Sequence, residues 1–193
     1  MPSAQDTLIS VTDSLLAIID VQDHFLAKLP TGESEALVRR IVWLVHIASA
    51  LHVPIVLTAE DIATLGSIAT AIVEALSDDP VVYDKTIFGL AGQDDILAGV
   101  RRHGRRAAIL VGLETDVCVA QSALGLSTAG YRAAALTDAT GSPDGGHESG
   151  LMRIRSAGIS TLSVEALFYE WTRTVARARG LLAPWPPPHD LAL

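Results

Sequence analysis

Three residues in this chain of 193 carry side chains that together could run covalent acyl transfer: Asp20, Lys85 and Cys118. Asp20 closes the apolar run LLAIID (15–20), and Lys85 closes VVYDK (81–85). Cys118, the one cysteine, follows AAILVGL (107–113) across the polar residues Glu114, Thr115 and Asp116. A thiol at a helix N-terminus has its thiolate stabilised by unpaired backbone N–H groups, and a nearby ammonium adds to that. The expected pKa of Cys118 therefore lies below the ~8.5 of a free cysteine. A carboxylate at the end of an apolar strand is partly desolvated, which raises its proton affinity toward that of a general base. Nucleophile, base and cation are the parts of acyl-transfer catalysis. Each residue alone also has a plainer reading: Asp20 as a turn cap, Lys85 as a surface lysine, Cys118 as a small core side chain.

What could bring them together is the order of elements. Six apolar runs, 15–20, 54–58, 81–85, 107–113, 132–138 and 159–164, are mostly continuous rather than alternating, as strands covered on both faces read. Between them lie segments with helical spacing. The clearest is 33–52, where Leu37, Ile41, Leu44, Val45, Ala48 and Leu51 share one face. Val38, Val42, Trp43 and Ile47 make its flank apolar too, which suggests an interface. Further helices are expected at 68–76, 94–103, 117–129, 147–157 and 165–179, with Gly104, Gly130, Gly158 and Gly180 where a left-handed stop belongs. Such alternation means an α/β fold with a parallel sheet and right-handed crossovers. In open sheets of this kind the site forms beyond the carboxyl ends of the strands, where Asp20, Lys85 and Cys118 all fall. One domain is expected over 1–180, with a Pro-rich arm at 181–193 that its prolines keep from being a helix or central strand.

Composition narrows the function. A net charge of −8 argues against nucleic acid as a partner, and the basic knot RRHGRR (101–106) reads as a solvated helix end. No run reaches the ~18–20 apolar residues of a membrane span, the start MPSAQDTLIS has no signal-peptide pattern, and one cysteine makes no internal disulfide. The cytoplasm is the expected compartment. With 49% hydrophobic and only 19% charged residues, a homo-oligomer is expected. No Gly-x-Gly-x-x-Gly or phosphate loop follows the first strand, so no dinucleotide cofactor is expected, nor any other.

The stretches IIDVQDHF, VYDKTIFG and VGLETDVCVAQSALGLSTAGYRAAALTDATG resemble the isochorismatase-like cysteine hydrolases over about residues 12–170. The resemblance implies a doubly wound six-stranded parallel sheet in the order 3-2-1-4-5-6, which makes the first and fourth strands neighbours. It implies Cys118 as nucleophile, Asp20 as the base, and Lys85 stabilising both thiolate and carboxylate. It also implies a cis peptide between Leu113 and Glu114, with the Glu114 and Cys118 N–H groups forming an oxyanion hole.

The metal-dependent branch of that family carries Asp-x-His and a further His after the second strand. Here the segment reads TAEDIATLGSIA, with Glu60 and Asp61 but no histidine, a poor transition-metal set. No metal is expected, and nicotinamide is disfavoured as substrate. Of the six histidines only His24 falls near the site, as a wall residue. Phe25, Ile87 and Phe88 flank the motif residues and are expected to line an apolar pocket with polar groups at one end, fit for a small molecule. The thiol favours an amide, carbamoyl or related acyl substrate over a vinyl ether. The rival reading is a non-catalytic or redox-sensing protein that kept the fold.

Overall fold

The computed structural model describes residues 7–76 and 80–191. The start of the chain that bears on a signal peptide, residues 1–6, lies outside the described residues, as do the last two residues of the arm. Six parallel strands, β1 (Ser14–Ile19), β2 (Ile55–Glu60), β3 (Val82–Lys85), β4 (Ala107–Leu113), β5 (Arg132–Gly141) and β6 (Ser160–Leu162), form one sheet in the order 3-2-1-4-5-6. β1 and β4 are buried along their whole length, which is why they read as unbroken apolar runs. β1 pairs with β2 on one side and β4 on the other, so the topological switch point lies between β1 and β4.

The helices are α1 (Asp23–Leu26), α2 (Thr31–Ala50), α3 (Ile62–Leu65), α4 (Thr70–Glu74), α5 (Asp94–Arg102), α6 (Ala120–Thr128), α7 (Gly146–Ser156), α8 (Val164–Thr172) and α9 (Val175–Leu182). Two apolar clusters sandwich the sheet. One contains Ile41, Leu44, Phe168 and Trp171 from α2 and α8; the other contains Ile96, Val100, Ala123 and Ile154 from α5, α6 and α7.

Several expected elements differ in detail. The helix expected at 165–179 is two helices, because Arg173 adopts φ 63° and Thr174 caps a new start by accepting from the Arg177 N–H. Gly180 consequently lies inside α9, whereas Gly104, Gly130 and Gly158 do take positive φ at their stops. The helix expected at 68–76 is only Thr70–Glu74.

Gly112 holds the switch point together. It sits beside Ile19 at φ 119°, and a Cβ there would stand 2.0 Å from the Ile19 carbonyl oxygen. Only glycine lets β4 approach the end of β1 this closely.

Candidate active site

Asp20 follows the last residue of β1 at φ 51°, a left-handed conformation that Asp tolerates better than most residues. Its side chain turns inward rather than capping the turn that follows. Oδ1 accepts from the Thr58 hydroxyl at 3.0 Å, and Oδ2 lies 3.0 Å from Lys85 Nζ. Lys85 closes β3, two strands away, and its side chain spans β2 to arrive there. Nζ also reaches Glu60 Oε2 at 3.2 Å and Cys118 Sγ at 3.6 Å. The structure thus brings the three residues singled out in the sequence into one cluster, with Asp20 and Lys85 wholly buried and Cys118 1% exposed. A surface lysine and a turn-capping aspartate are both excluded by this burial and these partners.

Cys118 sits in a π-helical turn, Thr115–Val119, that leads directly into α6. The Glu114 carbonyl closes that turn by accepting from the Val119 N–H at 3.0 Å, and the peptide bond before Glu114 is cis. The turn is clasped from the far side. Ser142 donates to Asp116 Oδ1 at 2.7 Å, and Thr115 Oγ1 lies 2.9 Å from His147 Nδ1 at the start of α7. Gly150 of α7 packs so tightly on the turn that an added Cβ would lie 2.6 Å from the Thr115 carbonyl group and the Asp116 nitrogen.

Glu60 is the member that sequence reasoning undervalued, having been weighed only as a metal ligand. Its Oε2 accepts from Cys118 Sγ at 3.3 Å as well as from Lys85. Gln22 fixes its backbone at both ends: Oε1 accepts from the Glu60 N–H at 2.7 Å, and Nε2 donates to the Glu60 carbonyl at 2.9 Å and to the Gly66 carbonyl at 2.6 Å. The signal was present, since Glu60 ends β2 at the same edge of the sheet as the other three.

The electrostatics follow from one ammonium serving two carboxylates. Burial pushes the Asp20 carboxyl above its usual range, opposed by Lys85. Burial would lower the Lys85 ammonium, yet Asp20, Cys118 and Glu60 together outweigh it and hold its pKa raised. Cys118 differs from expectation. Burial pushes its thiol well up, and the Asp20 and Glu60 charges add to that against the opposing Lys85. Ionising the Cys118 thiol would place a third anion beside a single cation, so the cluster favours its neutral form.

Asp20, Glu60 and Cys118 bring their ligand atoms within 4.8 Å of one another, the reach of a metal site. Lys85 Nζ stands among them within 3.6 Å of each, so the space for a cation is already filled by the ammonium. No imidazole joins them, and the set does not fit a transition metal.

Around the cluster, Phe88 places its ring centroid 5.8 Å from Lys85 Nζ and is 51% exposed. Phe25 is buried, with Lys28 Nζ 4.6 Å from its ring centroid; Lys28 in turn pairs with the Glu114 carboxylate at 2.9 Å. His24 is exposed and packs edge-on against Phe25, and Ile87 is exposed; neither enters the charged cluster. A cavity of about 290 Å³ lined by Leu29, Arg40, Ser142 and His147 lies on the Asp116 side and includes none of the catalytic candidates.

Comparison with known proteins bears on the family and the fold. The family model of the isochorismatase domain matches residues 14–166. A secreted isochorismatase effector, Isc1, of Phytophthora sojae is 32% identical over 81% of this chain and 76% of its own. Isochorismatase family protein 2B of Dictyostelium discoideum is 29% identical over 89% and 83%. Among solved structures, YcaC from Pseudomonas aeruginosa, described with hexane-2,5-diol and covalent acrylamide, superposes with a TM-score of 0.82 at 18% identity, covering 96% of this chain and 94% of its own. YcaC from Escherichia coli, described as an octameric hydrolase of unknown specificity, also gives 0.82, at 20% identity over 96% and 93%.

Proposed function

Because the chain belongs to the isochorismatase family and is a hydrolase, we propose that it cleaves a small amide, carbamoyl or related acyl substrate through Cys118 by way of a covalent acyl-enzyme. One observation carries this reading: a single buried ammonium, Lys85, touches both the Asp20 carboxylate and the Cys118 sulfur. Since the resting thiol is neutral, attack needs a base. Asp20, its proton affinity raised by burial, takes the proton as the S–C bond forms. The oxyanion that develops faces the Glu114 and Cys118 N–H groups. As the C–N bond breaks, Asp20 returns that proton to the leaving nitrogen. A water then gives its proton to Asp20 and adds to the thioester carbon, and the departing sulfur takes the proton back, releasing the acid and restoring the thiol. Lys85 holds Asp20 in place and stabilises the transient thiolate.

In this reading Phe25, His24, Ile87 and Phe88 wall the substrate, no metal or other cofactor takes part, and no nucleic acid or membrane is a partner. The filling of the cation position by Lys85 supports metal independence. No helix among the described residues is long and apolar enough to cross a membrane. The working compartment is the cytoplasm, where a nucleophilic thiol stays reduced. Residues 1–180 are the hydrolase unit and 181–193 its arm, whose first two residues are the last of α9. A redox sensor is disfavoured, because a sensing cysteine is a low-pKa thiolate, whereas burial and the Asp20 charge push the Cys118 thiol up.

The test is a panel of amides, N-carbamoyl amines and esters with intact-mass detection. A turned-over substrate should leave its acyl mass on Cys118, and Cys118→Ala should abolish release of ammonia or acid. A Cys118→Ala enzyme with full turnover would end this mechanism. Prolonged EDTA treatment should leave turnover intact.

A further inference from the structure

We infer that Glu60 selects the charge of the substrate: the site favours an acyl compound whose remainder is cationic or rich in N–H donors, and turns away one carrying a carboxylate. This rests on the hydrolase reading above and extends it to the substrate class. Of the four groups in the cluster, Glu60 is the one that reaches solvent, its side chain 19% exposed where those of Asp20 and Lys85 are 0%. Lys85 is shared between two carboxylates, so with the thiol neutral the cluster keeps one uncompensated negative charge. Glu114, beside the Cys118 turn, is paired with Lys28 at 2.9 Å and contributes no comparable excess. The excess charge is therefore presented through Glu60, the outermost member, and Gln22 keeps its backbone from swinging away.

Geometry places it where a substituent must pass. A carbon attacked by Sγ approaches to about 3–3.5 Å, and Glu60 Oε2 is already 3.3 Å from that sulfur. One face of the bound acyl group therefore lies against the carboxylate. An N–H or ammonium there gains a charge-assisted hydrogen bond, whereas an anion meets a half-desolvated like charge.

The single cysteine allows a test without knowledge of the substrate. Two thiol reagents of nearly equal size and opposite charge, trimethylammonioethyl and sulfonatoethyl methanethiosulfonate, would be timed on Cys118. Their rate ratio would be divided by the same ratio on N-acetylcysteine amide. The wild-type protein should favour the cation by about tenfold or more beyond that reference. Glu60→Gln should lower the ratio at least about fivefold, while Asp95→Asn, which removes one exposed charge elsewhere, should leave it unchanged. Any effect on the proton affinity of the thiol acts on both reagents equally and cancels. Glu60→Ala serves as the second neutral variant should the glutamine form misfold. A wild-type ratio within twofold of the reference, or one that Glu60→Gln does not move, overturns the proposal. Because no hydrolysis is measured, this result stands apart from the fate of the acyl-transfer reading.

Discussion

Lys85 is where the stability and the chemistry of the site meet. A lysine wholly removed from water is tolerated only because Asp20, Cys118 and Glu60 surround its ammonium. Lys85→Met should therefore cost about 3–5 kcal/mol, less through lost packing than through leaving the Asp20 charge buried without a cation. The pH dependence has a definite sign. The folded-state pKa of Asp20 is already above its ordinary 3.8, and losing Lys85 raises it further, so folding favours the protonated form. The stability this confers is complete below 3.8 and is lost as pH rises through the folded value. The gap in melting temperature between wild type and Lys85→Met should be wider at pH 8 than at pH 5; a gap that widens on acidification would refute the assignment. Asp20→Asn should behave differently. The amide suits φ 51° as well as Asp does, and Lys85 keeps Glu60 as a partner, so the melting temperature should move little while turnover falls by ~10²–10⁴. Undiminished turnover in Asp20→Asn would remove Asp20 from the mechanism.

At the scale of elements, Cys118 is positioned by what clasps its π-helical turn. α7 meets that turn through Gly150, with no room for a methyl group. Gly150→Ala must push Thr115 and Asp116 by several tenths of an ångström and should cost about 1–3 kcal/mol as an overpacked contact. Because Cys118 lies two residues further along the same turn, turnover should fall more than the lost stability explains. Denaturant melts and turnover measured under fully folded conditions separate the two effects. Full activity in a destabilised Gly150→Ala protein would show that α7 supports the fold without setting the nucleophile.

In the whole molecule, the apolar flank of α2 is covered by its own chain. Trp43 packs on Phe168 of α8 at 5.3 Å between ring centroids and donates to the Trp185 carbonyl at 3.0 Å, while His46 stacks on the Trp185 ring at 4.2 Å. Arg40 and Asp190 pin the end of the arm at 3.1 Å. The expectation of an interface on α2 thus meets an intramolecular occupant. What still supports self-association is the exposed apolar surface elsewhere: Phe88 and Ile87 beside the active site, Met152 on α7 and Val175 on α9. Light scattering should give a multiple of 20.3 kDa, and Phe88→Asp should shift it toward the single-chain mass if that face is the contact. A wild-type mass of one chain would overturn the expectation.

The parallel sheet and its order of elements were legible in the sequence, because strands buried on both faces leave unbroken apolar runs and because glycines such as Gly104 and Gly130 mark the stops between them. Asp20, Lys85 and Cys118 were legible for a related reason: Asp20 and Lys85 stand at strand ends and Cys118 in the turn that follows one, and such positions on one edge of a parallel sheet converge whatever their separation along the chain. Resemblance added the strand order and the cis peptide. Tertiary structure alone decided the rest. Whether the thiol rests neutral or ionised depends on counting charges within 4 Å, and Glu60 enters that count only once β2 lies between β1 and β3. The arm of prolines and the apolar flank of α2, separate anomalies in sequence, cover each other in space, because burial is a property of pairs that a linear chain does not display.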